Sequence, residues 1–245
     1  VYVNGSGTFA MNNSASVSGN TANQGGGVYV ESGTFNMNDG KISGNKAKND
    51  KASNDTNGGG VFVNKSGTFN MNDGAISDNK ATNSDERNTT YGGVYVSGGT
   101  FTMNGGESSV SKNTAKNGGG VSVSSGTFNM NDGKISGNTG NGVFVHNNAT
   151  FTVSNTPTVT GNTNTTNSAA SNVYLAGSAY ITIGGALTGG EGSIGVTKLP
   201  NSSPAEIVIA NGVNEDYSGK FSSDDETREV KYENKQLVLK KKATQ

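Results

Sequence analysis

The chain has 245 residues, of which 30% are hydrophobic and 38 are glycine, with no cysteine, a single histidine and a formal net charge of -1. These values exclude a disulfide framework, thiol chemistry and thiolate zinc sites, and near neutrality without a basic run argues against nucleic acid or an anionic membrane surface as partner. No apolar run approaches the roughly 18 residues of a bilayer-spanning helix, so direct membrane insertion of this segment is not expected, and no signal peptide is recognisable.

From its first residue the sequence is one unit written again and again. VYVNGSGTFAMNNSASVSGN opens the chain and GGGVYVESGTFNMNDGKISGN follows from Gly25. Further copies begin at Gly58, Gly92, Gly118 and Gly142, and a degenerate last one, NVYLAGSAYITI, starts at Asn172. Seven copies identify a repeat protein. A start without Met, inside a copy, is expected of a fragment whose upstream coils and targeting segment lie outside it.

Each copy predicts three short strands. Val28 and Val30 alternate with Tyr29; Phe35 and Met37 alternate with Thr34, Asn36 and Asn38; Ile42 follows the Asn-Asp-Gly at 38–40. Period-two runs separated by Gly, Asn and Asp turns are strands, and about 22 residues holding three of them make one coil of a parallel β-helix. Stacking places Phe9, Phe35, Phe69, Phe101, Phe128 and Phe151 inside, with Met11 to Met130 and Val153 beside them. A third interior column runs from Val17 and Ile42 to Val159. Three residues after each member of that column stands an asparagine, Asn20, Asn45, Asn79, Asn113, Asn138 or Asn162, which reads as a structural amide ladder along the stack.

From the ladder asparagine to the next V-x-V pair the gap varies from 5 to 16 residues, so insertions leave at one corner. The long ones, 46–57 and 80–91, carry Lys, Asp, Glu and Arg87. Loops gathered on one side of a solenoid mark a working face or are plain solvated surface. After residue 183 the repeat fades. EIVIANGV, GKFSS and EVKYENKQLVLK read as strands, the last as a hairpin turning near Glu233-Asn234, and the charge of this segment suits an edge-covering cap. The fold class expected is all-β: a right-handed single-stranded parallel β-helix of about seven coils over residues 1–183, a rod ~30 Å long, with a small C-terminal β cap over 184–245.

The motifs Gly26-Gly27-Val28 with Phe35-Asn36-Met37-Asn38, and Gly59-Gly60-Val61 with Phe69-Asn70-Met71-Asn72, carry a resemblance. The chain resembles the extracellular right-handed parallel β-helix repeat proteins of bacteria, the pectate-lyase-like superfamily, and is similar in motif to the passengers of polymorphic outer-membrane adhesins. The resemblance covers roughly residues 1–183 and implies a bacterial cell-surface or secreted, extracellular location. It implies a non-enzymatic adhesin that binds host protein or glycan. A polysaccharide-active lyase or glycosidase and a purely structural spacer are the alternatives. The adhesins' translocating β-barrel is not part of this sequence.

Candidate chemistry follows from the columns. Asp39, Asp73 and Asp132 share one place in Asn-Asp-Gly, where stacked carboxylates suit acid–base work on a glycoside or a weak calcium site, and where Asp and Gly equally make a turn. His146 has no partner set for a metal site or triad and reads as an exposed polar residue. No catalytic residue, metal or cofactor is assigned. Between the interior valines lie Tyr2, Tyr29, Phe62, Tyr95, Ser122, Phe144 and Tyr174, on the solvent side by strand alternation. Bordered by Gly27, Gly60, Gly93, Gly120 and Gly142, this stripe reads as a shallow groove in which sugar rings or an extended peptide stack. The other readings are aromatics stacked on one another or roofed by the insertions. Tyr2, Tyr29, Phe62, Tyr95, Phe144 and Tyr174, with Arg87, are the candidate ligand-binding residues. A Thr/Asn lattice led by Thr8, Thr34, Thr68, Thr100, Thr127 and Thr150 forms a second outer face, similar to ice-binding surfaces or simply suited to β structure and solubility.

Overall fold

Short strands separated by glycine and asparagine turns dominate the computed structural model, which describes residues 1–49, 55–85, 88–199 and 205–243. Three of them recur in every coil. The valine stack joins Tyr2–Val3, Val28–Val30, Val61–Asn64, Val94–Ser97, Val121–Val123, Val143–Val145 and Val173–Leu175, all parallel and in register. The phenylalanine stack runs from Thr8–Met11 to Ile181–Leu187, and the isoleucine stack from Ser16–Ser18 to Thr158–Thr160, in the same manner. A strand paired with its own equivalent one coil away is what defines a parallel β-helix, and the chain folds as one, closed by a C-terminal β cap.

The narrow core explains why so few apolar residues suffice. Phe35, Phe69, Phe101, Phe128 and Phe151 are fully buried, as are Met37, Met71, Met103 and Met130 and the branched residues Ile42, Ile76, Val110, Ile135 and Val159. Phe35 and Phe69 stack with ring centroids 4.9 Å apart and planes 6° apart, and Phe101 and Phe128 do the same. In-register parallel strands force equivalent side chains to the strand spacing, and rings at that spacing gain from stacking as well as from burial. The Asn-Asp-Gly segments are turns. Asp39, Asp73 and Asp132 each accept the N–H of the following glycine, at 2.5, 2.6 and 2.8 Å, and Gly74 has φ +91°.

The asparagine column is a continuous hydrogen-bonded chain. Asn79 Nδ2 donates to Asn113 Oδ1 at 3.0 Å and to Ile42 O at 2.9 Å, and Asn45 donates to Asn79 Oδ1 through both its backbone N–H and its Nδ2. The same bonding repeats to Asn138 and Asn162 and then passes to Asn172. There the chain ends on a carboxylate. Asp224 accepts the backbone N–H of Asn172 at 2.7 Å, its Nδ2 at 2.6 Å and the Thr197 hydroxyl at 2.7 Å. A second, more exposed amide ladder runs over Asn12, Asn38, Asn72, Asn104 and Asn131, and sequence inspection alone had not singled it out.

The cap ends the stacks in two ways. Ile194–Thr197 pairs with the isoleucine stack through Val159 and with the valine stack through Val173 and Tyr174, so two stacks converge on one strand, whose other side pairs Phe221–Ser223. The phenylalanine stack continues into Glu206–Asn211 and is then closed by the antiparallel hairpin Arg228–Glu233 and Gln236–Lys241. That hairpin turns through Asn234 and Lys235, both at positive φ, as its sequence predicts. Parallel pairing thus continues beyond residue 183 into the capping region.

Candidate binding surface

The corner where the insertions leave is built from a fourth strand in each of the first three coils. Directly after the ladder asparagines come Thr21–Ala22, Lys46–Asn49 and Lys80–Asn83, a three-stranded parallel sheet that single bridges extend through Thr114, Thr139 and Thr163. The long insertions close with a second pair, Thr56–Asn57 against Thr90–Tyr91. The two insertions, nearly equal in length and on adjacent coils, pair through these strands as the coils do, which satisfies the backbone groups of the paired residues mutually. Buried Ala47, Ala81 and Ala115 form the small core beneath. The sequence carries the signal in Asn-Lys-Ala and Asn-Thr-Ala, whose short alanine side chains fit this tight layer.

These insertions determine what becomes of the aromatic stripe. Tyr2 is well exposed and Tyr29, Phe144 and Tyr174 are half-buried, whereas Phe62 and Tyr95 are 4% and 8% exposed. Tyr95 is covered by Tyr91, which leaves the second insertion to stack on it at 4.4 Å and 3°, and Phe62 lies between Tyr29 and Tyr95. Burial pushes the Tyr91 phenol up to about 12. Tyr29 stacks on Phe62 at 4.8 Å, and Phe144 on Tyr174 at 5.0 Å. The open stripe expected from alternation is therefore closed at its centre and open only at its ends. At the first end Tyr2 donates to Glu31, which also pairs with Lys65, and Tyr29 accepts from Asn64 at 2.9 Å. The bond to Glu31 raises the Tyr2 phenol, and the Lys65 and Tyr2 bonds lower the Glu31 carboxyl.

Two further expectations are corrected here. The glycine strip is not a groove floor, because the asparagine ladder lies against it. A Cβ on Gly60 would stand 2.9 Å from Asn79 Nδ2, and Gly27, Gly93 and Gly120 face Asn45, Asn113 and Asn138 in the same way. His146 is half-buried and not exposed. Its ring lies 4.4 Å from that of Phe144 and edge-on to Tyr91 at 5.9 Å, with Nε2 3.5 Å from the Ser122 hydroxyl, and burial lowers its pKa. At Ser122 the aromatic column lapses, and Tyr91 and His146 fill the space.

Beside the covered stripe, the second insertion forms one wall of a cleft of about 430 Å³. Ala81 and Ala115 line its base, Asn83, Asp85, Asn88 and Thr90 its insertion side, and Lys116 and Thr165 the facing side. Asn83 organises the insertion. Its Oδ1 accepts the Asp85 backbone N–H at 2.8 Å and Asn88 Nδ2 at 3.3 Å, while its own Nδ2 donates to the Thr56 hydroxyl at 3.1 Å. Thr90 Oγ1 accepts the Lys116 N–H at 2.7 Å, and Thr165 Oγ1 donates to the Lys116 carbonyl at 3.2 Å. Arg87, the remaining candidate, lies outside the described residues. Among the described residues no cluster of three His, Cys, Asp or Glu side chains is placed to hold a metal ion, and no helix is long and apolar enough to cross a membrane. Compared with known proteins, the chain matches no family model, no curated protein and no solved structure.

Proposed function

We propose that this chain is an adhesin-like, non-enzymatic module of a bacterial cell-surface or secreted protein, a stiff β-helical rod that binds host protein or glycan along its insertion-bearing side. The observation that carries the reading is the cleft between the second insertion and the coils that follow it, whose wall residue Thr90 adjoins Tyr91 of the aromatic stack. A solenoid's core columns are committed to stacking, so the variable corner is where recognition is added without disturbing the fold. The turn carboxylates Asp39, Asp73 and Asp132 are engaged with backbone N–H groups, which supports turn formation as their task. The resemblance of the repeat to adhesin passengers and pectate-lyase-like β-helices points to the same extracellular setting.

The test is a glycan and matrix-protein array probed with the purified chain, beside an assay for unsaturated-sugar or reducing-end release. Binding without release is the expected result. Release of product would transfer the chain to the polysaccharide-active enzymes. A second reading, a structural spacer, is favoured by one observation: Tyr91 stacks on Tyr95, which packs against Phe62, so the middle of the aromatic column packs internally. The spacer reading expects no binding to any probe on the array.

A further inference from the structure

We propose that the cleft between the second insertion and the 163–172 segment is a subsite for one neutral sugar unit of a glycan chain, an inference that rests on the adhesin reading above. Its position follows from coil lengths. The two coils after the 80–91 insertion have gaps of only 8 and 5 residues before their valine pairs, whereas the next has 11. The wall made by the long insertion therefore stops abruptly, and Thr165 from the later coil forms the opposite rim. The volume of about 430 Å³ falls within the range of small-ligand sites.

The lining selects the ligand class. Among the described lining residues one carboxylate, Asp85, and one ammonium, Lys116, balance, so these favour neither an anionic nor a cationic ligand. The other polar groups are threonine hydroxyls and asparagine amides, which donate and accept alike, and sugar hydroxyls require both. Methyl groups of Ala81 and Ala115 at the base suit the apolar C–H face of a pyranose ring. The walls are held before any ligand arrives. Asn83 ties Asp85 and Asn88 together, and Thr90 and Thr165 fasten the Lys116 backbone from both sides. Preorganisation of this kind lowers the ordering cost of binding, which matters for a weak, single-sugar contact.

The experiment uses the full chain on an array of neutral, sialylated and sulfated glycans, with hits followed by titration calorimetry using chitotriose, cellotriose and N-acetyllactosamine. Thr165→Trp places a bulky ring at the exposed rim, and Thr127→Trp makes the same change on the phenylalanine-stack face as a control. Circular dichroism verifies that both variants are folded. The expected result is binding to neutral glycans that weakens by about tenfold or more in T165W and stays within about twofold in T127W. Neutral-glycan binding that survives T165W but is lost in Tyr29→Ser or Tyr174→Ser would overturn the cleft and leave the adhesin reading standing. Binding confined to sialylated or sulfated glycans, or to matrix proteins, would overturn the neutral-sugar class while leaving that reading intact. No binding to any probe would overturn both.

Discussion

Replacing Asn79 by alanine tests whether the amide ladder holds the coils together. Asn79 is fully buried, and its side chain makes four hydrogen bonds: two accepted from Asn45 and one donated each to Ile42 O and Asn113 Oδ1. In Asn79→Ala, Asn113 Oδ1 keeps the backbone N–H of residue 79, so it is not orphaned. Two of the bonds removed leave a buried donor without a partner, the Asn45 N–H and one hydrogen of Asn45 Nδ2, whereas the Ile42 carbonyl stays in the strand ladder with Ala75–Ser77. At about 1–3 kcal/mol for each unsatisfied buried group, and with some recovery if water enters, the loss is about 2–5 kcal/mol. That is a large share of the ~5–15 kcal/mol by which a typical domain is stable. Asn20→Ala is the comparison. Asn20 is exposed at the other end of the ladder, and Asn45 Oδ1 retains the Asn20 N–H, so its loss is under ~1 kcal/mol. Urea unfolding followed by circular dichroism reads both values. Equal midpoint shifts for the two variants would refute the ladder as a source of stability.

Three other outcomes are expected. Gly60→Ala destabilises by over ~2 kcal/mol, because its Cβ would meet Gly93 O at 2.8 Å and Asn79 Nδ2 at 2.9 Å, and by more than Gly44→Ala, which faces open space and costs about 1–2 kcal/mol for its left-handed φ of +64°; paired urea midpoints measure this. Asp224→Asn replaces an oxygen that accepts hydrogen bonds with an amide that donates, costing about 1.5–3 kcal/mol. Faster hydrogen exchange confined to the C-terminal coil is its signature, and uniform exchange along the rod would count against it. His146, the one histidine, titrates below its ordinary 6.5 because burial disfavours the charged ring. The unfolded chain then binds more protons, so stability falls as pH drops through the window below 6.5, and His146→Gln removes that slope. NMR titration of the single imidazole, with urea midpoints at about pH 5 and pH 7, checks both statements.

The core was legible because parallel in-register pairing converts spacing into contact. Once Phe35 and Phe69 are recognised as equivalent, strand geometry leaves them nowhere to go but onto each other, and the columns of valine, isoleucine and asparagine follow by the same rule. Of the readings open for the aromatic column, stacking and roofing by an insertion hold at its centre, and the glycine groove does not. Alternation does turn Gly60 away from the core, but the corner between the stacks is tight enough for Asn79 to fold over it, and the missing side chain is the space the amide occupies. Alternation likewise put Tyr95 outside the coil without showing that Tyr91 covers it from the preceding insertion. Asp224 was hidden for a different reason: it meets Asn172 across 52 residues, and Asn172 itself stands where earlier coils have glycine. Contacts made once, between segments that do not repeat, leave no periodic trace.

The same distinction accounts for where the cleft proposed as a binding site lies on this rod. An insertion on a single coil would leave its strand edges unpaired on both sides, whereas insertions of matched length on neighbouring coils pair with each other, as Lys46–Asn49 with Lys80–Asn83 and Thr56–Asn57 with Thr90–Tyr91 do here. Such ribs widen the solenoid for as many coils as carry them and then stop. The last rib must present a wall to the narrower coil that follows, and that wall is lined by residues freed from the repeat, such as Asn83 and Thr90. A cleft at the step is therefore a consequence of how β-helices accommodate insertions, and its side chains can vary without cost to the stacks. On the binding reading proposed above, recognition is placed by a change in coil length, and its specificity is carried by the few side chains at that step.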